Sequence, residues 1–181
     1  LQLSPDRDPD APHAEPLSPE MITLGTLVEE GRLRPGRREW VAAPPRIDAD
    51  DGQTRAALGY LSANCGNCHN RHSSIASLGL ILEHSLKANA ECTPALATSL
   101  DRPGHWVVPT APDGQSKLIH GGRPELSAIV QRTKSRRPSS QMPPLGSVVQ
   151  DKEAVDLLTK WVGDDPAKWA ERARRCARLG S

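Results

Sequence analysis

The feature that most constrains this chain is the pentapeptide CGNCH at residues 65–69, in which two cysteines lie three positions apart and a histidine follows at once. Two thiols at this spacing can each form a thioether with one of the two vinyl groups of a porphyrin. The adjacent histidine then lies under the iron, so the motif is a signature of covalent haem attachment. The sequence therefore predicts one covalent haem c, attached through Cys65 and Cys68 and ligated by His69.

Two other uses of the same residues stay open at this point. Cys65, Cys68, His69 and His72, with Cys92 downstream, are all residue types that bind zinc. Structural zinc sites normally draw their second ligand pair from a separate segment, however, and the adjacent Cys68 and His69 rarely reach one ion. The other use is a structural disulfide between the two cysteines, beside a bystander histidine. Either use would make the chain a zinc or disulfide interaction module without haem.

A second axial ligand for haem iron is indicated by Met142, one of only two methionines, in the segment SSQMPPLG. The two prolines that follow restrict the backbone, which suits a sulfur that must be held at one position. A thioether opposite an imidazole favours ferrous iron and raises the reduction potential. His84, His105 and His120 are alternative distal ligands, whereas His72 lies too close in sequence to the proximal histidine to reach the opposite face of the haem.

Apolar periodicity predicts a mainly α-helical chain. A helix capped by Asp51 is expected over residues 52–64, another over 124–134, and a third from about 151 to 163. The tail, residues 164–181, is predicted to form a further, strongly basic helix. Two short apolar runs, HWVVP and KLIHG, flank a Pro-Asp-Gly turn and predict a small β-hairpin between residues 105 and 121.

The length of 181 residues indicates one ordinary domain with an extension. Residues 1–50 are rich in proline and acidic residues, and we expect an extended N-terminal segment with one short helix, beginning at Pro19 and ending near Gly31. The net charge of +1 implies no nucleic-acid partner, and no apolar run is long enough to span a membrane. Four Trp, one Tyr and no Phe predict either a small core or one completed by a non-protein group.

Two further groups of residues have open interpretations. Cys92 and Cys176 either form a disulfide that joins the basic tail to the middle of the chain, or remain two separate buried thiols. Basic residues precede the methionine segment and recur in the tail: Arg132, Lys134, Arg136 and Arg137, then Arg172, Arg174, Arg175 and Arg178. The first group could attract an acidic redox partner or pair with a haem propionate. Most of these side chains, including the tail arginines, are expected to form solvated faces.

The helix leading into CGNCH, the segment QMPPLG and the closing helix DKEAVDLLTKWV together resemble a class I c-type cytochrome domain, over residues 51–163. The segments LGLIL and GGRPELSAIVQR resemble a poorly characterised group of bacterial monohaem cytochromes c. The resemblance implies a cytochrome c fold with His69 proximal and Met142 distal, and packing of the first and last helices around Leu58, Leu61, Leu158 and Trp161. The long stretch between the two ligands departs from the small cytochromes and is predicted to be an insertion.

The expected function is electron transfer by a carrier that is not itself an enzyme, alone or within a larger oxidoreductase, with a redox protein as its partner. The alternative with haem is a gas sensor or peroxidase-like protein with an open or bis-histidine iron. Covalent haem attachment takes place outside the bacterial inner membrane. We therefore expect a periplasmic or exported protein whose signal peptide has been removed.

Overall fold

The computed structural model describes residues 18–20, 22–34, 36, 38–42, 47–84 and 92–179, and this part of the chain is mainly α-helical, as predicted. It contains seven α-helices and two short 3₁₀ turns, at Ala76–Leu78 and Pro124–Leu126. The helices are α1 (Leu24–Glu29), α2 (Glu39–Ala42), α3 (Gly52–Asn64), α4 (Pro94–Ser99), α5 (Ala128–Lys134), α6 (Lys152–Val162) and α7 (Pro166–Leu179). None of these helices is long and apolar enough to cross a membrane.

Helices α3 and α6 begin where the sequence predicts, because each has an aspartate as its N-cap. The Asp51 carboxylate accepts from the Thr54 amide at 2.6 Å, and the Asp151 carboxylate accepts from the Ala154 amide at 2.9 Å. Each bond satisfies one of the amides that a helix leaves without an internal partner at its start. The two helices then pack against each other.

The packing between α3 and α6 places their apolar faces in one buried cluster, as the resemblance implies. Leu58, Leu61, Leu158 and Trp161 all belong to it, and each is almost fully buried. Deletion of one such side chain costs roughly 2–5 kcal/mol in a well-packed core. This cluster fixes the end of α3, where the CGNCH segment begins.

Helix α7 packs against the core and contributes a buried side chain to it. Trp169 of α7 is buried and packs edge-to-face on Trp161 of α6, with ring centroids 5.1 Å apart. Cys176, also on α7, forms a disulfide with Cys92, which resolves the open choice in favour of a bridge. The tail is therefore joined to the core by two aromatic rings and a covalent bond.

Arg172 of α7 corrects the expectation that the tail arginines are solvated, because it is only 3% exposed. Its guanidinium donates to Thr54 at 2.7 Å and to Asp51 at 3.2 Å, and lies over the Trp169 ring. These partners come from the first turn of α3, which the sequence cannot place beside the tail. Arg174, by contrast, is exposed, as expected.

The predicted β-hairpin is wrong: the described residues contain only isolated β-bridges, Leu100 with Ile119 and Lys117 with Ser127. The Val108 amide donates to the Ser116 hydroxyl at 2.9 Å, so a side chain takes a donor that a hairpin would need. The helix predicted over 124–134 is split, because Ser127 has an extended backbone between a 3₁₀ turn and α5.

The N-terminal part of the chain holds two short helices where the sequence predicts one. Helix α1 starts at Leu24, not at Pro19, because the Thr23 hydroxyl accepts from the Thr26 amide and acts as the N-cap. The proline-rich stretch over residues 1–17 lies outside the described residues.

Candidate functional site

The CGNCH segment continues the last turn of α3 as a tight helical turn. The Cys68 and His69 amides both donate to the Cys65 carbonyl, at 3.1 and 2.8 Å. A Cβ at Gly66 would lie 2.5 Å from the Ser62 carbonyl oxygen, so this position accepts glycine alone. The turn thus brings both thiols and the imidazole to the carboxyl end of a core helix.

The two thiols of the segment are free, so the structure does not contain the predicted alternative of a Cys65–Cys68 disulfide. Cys68 is exposed and Cys65 is half-buried. Burial first, and then the charge of Cys68, raise the pKa of the Cys65 thiol to about 11. Both sulfurs are therefore separate, and Cys65 is held as the neutral thiol.

The zinc interpretation lacks a ligand cluster in the described residues. No group of three or more His, Cys, Asp or Glu side chains lies there in an arrangement that could hold a metal ion. Cys92, the downstream thiol, is bonded to Cys176, and His72 is exposed in the turn that follows the segment. The potential ligands of the segment thus do not converge on one point.

His69 is half-buried and its imidazole is held in the neutral form. Burial lowers its pKa, and the positive charge of Arg132 lowers it further. The Nδ1 atom is buried and has no hydrogen-bond partner among the described residues. Its backbone is fixed by the Leu82 amide, which donates to the His69 carbonyl at 2.7 Å. A neutral ring with an unpartnered buried nitrogen suits a residue that ligates a group at this position.

Met142 is half-buried in a segment that is bonded back to α5. Its amide donates to the Arg132 carbonyl at 3.0 Å, and the Arg132 side chain donates from Nε to the Ser140 carbonyl at 3.2 Å. The guanidinium also lies over the Trp106 ring, 5.5 Å from its centroid. Arg132 thus contacts the methionine segment on both sides of Gln141 while its charge reaches His69.

The sequence placed Arg132 in a basic cluster and assigned no role to Trp106. Their stacking joins residues from the long stretch after the cysteine motif and from α5. No spacing in the sequence marks this pair, because it depends on how the chain folds between them. It is the feature of the site that sequence reasoning missed.

The alternative distal histidines lie in different places. The His84 amide donates to the Ser62 hydroxyl at 3.1 Å, one turn before the cysteine motif, and burial lowers the pKa of the His84 ring. His105 is exposed. The His120 amide donates to the Ser127 hydroxyl, and the next residue along the chain packs against Trp169. His84 is thus hydrogen-bonded through its backbone to the helix that carries the motif.

Tyr60 lies beside the motif on α3 and links it to the start of α6. Burial first, and then the nearby Asp151 carboxylate, which accepts its hydrogen bond, raise the pKa of its phenol to about 12. Cys65 adds to the same effect. The phenol therefore stays protonated and holds the cap of α6 near the cysteine turn.

The donor set fits a covalently attached haem. It consists of two free thiols at the required spacing, a neutral imidazole with an unpartnered buried nitrogen, and a thioether in a segment bonded to α5. Comparison of the chain with protein-family models, curated proteins and solved structures finds no match. The residues of the site are thus the basis on which a function can be argued.

Proposed function

We propose that this chain is an electron-transfer protein with one covalent haem c and belongs to the class I cytochromes c. The observation that carries the proposal is the C-x-x-C-H segment at the carboxyl end of a helix that packs on the core, with both thiols free. The tight turn at the end of α3 holds the two cysteines and the following histidine within five residues of one another. That arrangement is what two thioethers and an axial imidazole require.

Each residue of the site has a distinct role in this proposal. Cys65 and Cys68 would hold the haem through two thioethers, and His69 would ligate its iron through an imidazole nitrogen. Met142 would supply a second ligand through its sulfur. When bound, the haem would supply one-electron chemistry between ferric and ferrous iron. With both ligands supplied by the chain, no position would be left for a small ligand, so the protein would carry electrons and perform no catalysis of its own.

Anchoring of the methionine segment supports axial ligation by Met142 over an open iron. Arg132 fixes this segment from two sides, through its carbonyl and its guanidinium. Restriction before binding lowers the entropy that ligation costs. A sulfur on a loosely attached segment would exchange readily with other ligands.

We propose a periplasmic or exported location with a redox protein as partner. Disulfides form and persist in oxidising compartments, and the half-buried Cys92–Cys176 bridge is compatible with such a compartment. The covalent haem of the proposal is attached in the same place.

The test is the optical spectrum of the protein produced in a periplasm that matures c-type cytochromes, recorded oxidised and reduced. We expect a haem that remains on the chain after denaturation, and the weak long-wavelength band of Met-ligated ferric haem. Met142→Ala should abolish that band, while Met21→Ala, the matched control at the other methionine, should keep it.

Three other outcomes count against parts of the proposal. A high-spin ferric spectrum would move the function toward ligand binding or peroxidase-like chemistry. A bis-histidine signature that His84→Ala removes would replace Met142. A chain without haem after maturation would overturn the electron-transfer function altogether.

A further inference from the structure

The segment that follows Met142 exposes three large apolar side chains in a row of five residues. Leu145 is 85% exposed, Val148 is 88% and Val149 is 83%. These are the most exposed large apolar side chains in the described part of the chain. Single exposed apolar residues are common on protein surfaces, but a cluster of them marks an interaction site. We call residues 145–149 the apolar loop.

The apolar loop is held at both ends by hydrogen bonds, so its side chains are exposed at a fixed place on the surface. On one side the Gln141 side chain donates from Nε2 to the Pro144 carbonyl at 3.2 Å. On the other, the Gln150 side chain donates from Nε2 to the Lys134 carbonyl at 2.8 Å. Neither bond turns the apolar side chains toward the core. A segment fixed in this way keeps its side chains available to a partner at low entropic cost.

Basic side chains lie next to the apolar loop. The stretch from residue 132 to residue 153 contains five basic residues and two acidic ones. Lys134, Arg137 and Lys152 are exposed, and the ion pairs formed among the described residues include none of the three. The bond from the Gln150 side chain to the Lys134 carbonyl places the backbone of one of these basic residues beside the end of the loop. The surface is thus an apolar centre with a basic rim.

We propose that the apolar loop and its basic rim form the docking surface for an acidic redox protein, one that carries an apolar depression bordered by carboxylates. The proposal rests on the proposed function and adds the place and chemistry of the contact. An apolar centre surrounded by charge is the usual anatomy of a protein interface. The basic rim attracts the partner during approach, and the apolar side chains are buried on contact.

The charges and side chains of this surface argue against a second copy of the chain, and against a membrane, as its partner. In a dimer formed through this surface, two-fold symmetry would bring the basic rims of both copies together, which is unfavourable. A membrane contact normally uses Trp, Phe and Leu beside basic residues. The apolar loop has no aromatic residue.

The docking surface lies close in sequence to Met142, the proposed distal ligand, which bears on electron transfer. Only two prolines separate Met142 from Leu145 in the chain. A partner seated on the loop is therefore close to the methionine end of the site. Electron transfer falls steeply with distance, so docking here would favour a short path.

The experiment uses the full chain and, as probe, a blue-copper protein with an acidic patch beside an apolar patch. Two-dimensional amide NMR maps the contact, and stopped-flow absorbance measures the rate of electron transfer to haem. We expect shifts at residues 134–137 and 145–149. We also expect the triple variant Leu145→Ser, Val148→Ser, Val149→Ser to lower the second-order rate by about tenfold or more.

Matched variants separate the surface from general effects. Val107→Ser changes another exposed apolar residue and should leave the rate within about twofold. Lys134→Glu with Arg137→Glu should lower the rate and reverse the sign of its dependence on salt, whereas Arg174→Glu in the tail should not. A small inorganic reductant should reduce the haem of all these variants at the same rate, which shows that the site itself is intact.

The outcomes distinguish this proposal from the proposed function. If the chain carries no haem but the probe still shifts the amide signals of residues 145–149, the docking surface is supported and the electron-transfer function is overturned. If haem is bound and the triple variant reacts as fast as the native chain, the docking surface is overturned. It is also overturned if the loop drives self-association in sedimentation, or binding to anionic vesicles, in place of binding to the acidic probe.

Discussion

Trp161 of α6 donates from its indole nitrogen to the Thr54 hydroxyl of α3 at 3.2 Å, across 107 residues of sequence. The same hydroxyl accepts from Arg172 of α7 at 2.7 Å and donates to the Asp51 carboxylate at 3.0 Å. One buried oxygen therefore joins three helices, and the first turn of α3 is fixed by both later helices. The cysteine motif lies at the other end of that helix.

Thr54→Val should destabilise the fold, because valine keeps the shape of threonine and removes the shared acceptor. The Trp161 indole would then be buried without a partner, and Arg172 would lose one of its bonds. Loss of a buried partner costs about 1–3 kcal/mol. Urea unfolding followed by tryptophan fluorescence measures the loss. Thr110→Val, at an exposed threonine, serves as the control, and equal stability of the two variants would contradict this role for the hydroxyl.

Arg132→Met should weaken Met142 as an axial ligand while leaving the haem attached. The variant removes the bond to the Ser140 carbonyl and the stacking on Trp106, but keeps the backbone bond to Met142. We expect the long-wavelength band of the ferric protein to disappear at a lower temperature than in the native chain. Arg137→Met, at a neighbouring exposed arginine, should leave that temperature unchanged. Full retention of the band in Arg132→Met would show that the side chain does not position the ligand.

Tyr60 should titrate well above the range of an exposed tyrosine. It is the one tyrosine of the chain, so the ultraviolet absorbance of tyrosinate reports on it alone. Burial and the Asp151 carboxylate raise the pKa of the phenol from 10.0 to about 12. The folded state prefers the neutral phenol, so Tyr60 contributes to the free energy of unfolding below pH 10.0. This stabilisation is lost as the pH rises through about 12. Asp151→Asn should bring the midpoint down, and the chain unfolded in urea should titrate near 10.

Replacement of both bridged cysteines by serine should lower the stability of the fold. Cys92 and Cys176 are 84 residues apart in sequence, and a cross-link that closes a loop of this size removes much freedom from the unfolded chain. The loss should be about 2–5 kcal/mol, measured by urea unfolding of the double variant against the native chain. The native chain treated with a thiol reductant provides the matched comparison. A double variant as stable as the native chain would mean that Trp169 and Arg172 hold α7 without the bridge.

The parts of the fold that the sequence predicted are those with local causes. Asp51 and Asp151 cap their helices through amides three residues away, so each helix start is visible in the sequence. The hairpin failed because the Ser116 side chain takes the Val108 amide, which is a choice made in the folded chain. Arg172 was expected in solvent because its acceptors are more than a hundred residues distant.

In the candidate site, too, the residues close in sequence were predicted and the contacts made by tertiary packing were not. Cys65, Cys68 and His69 are adjacent in sequence, and their shared position at the end of α3 follows from the helix that precedes them. The stacking of Arg132 on Trp106 depends on tertiary packing, and no pattern of residues indicates it. Met142 as distal ligand stays a prediction, supported by the anchoring of its segment to Arg132.

The bridge between Cys92 and Cys176 makes a closed ring of the chain that contains Met142 but leaves the CGNCH segment on the arm outside it. A protease that cuts once anywhere inside the ring, the methionine segment included, leaves both pieces on one molecule until a reductant is added. A single cut between His69 and Cys92 instead leaves the arm, with the haem of the proposal, without a covalent link to the rest of the chain. The two sides of the proposed haem site thus belong to parts of the chain that proteolysis separates in different ways.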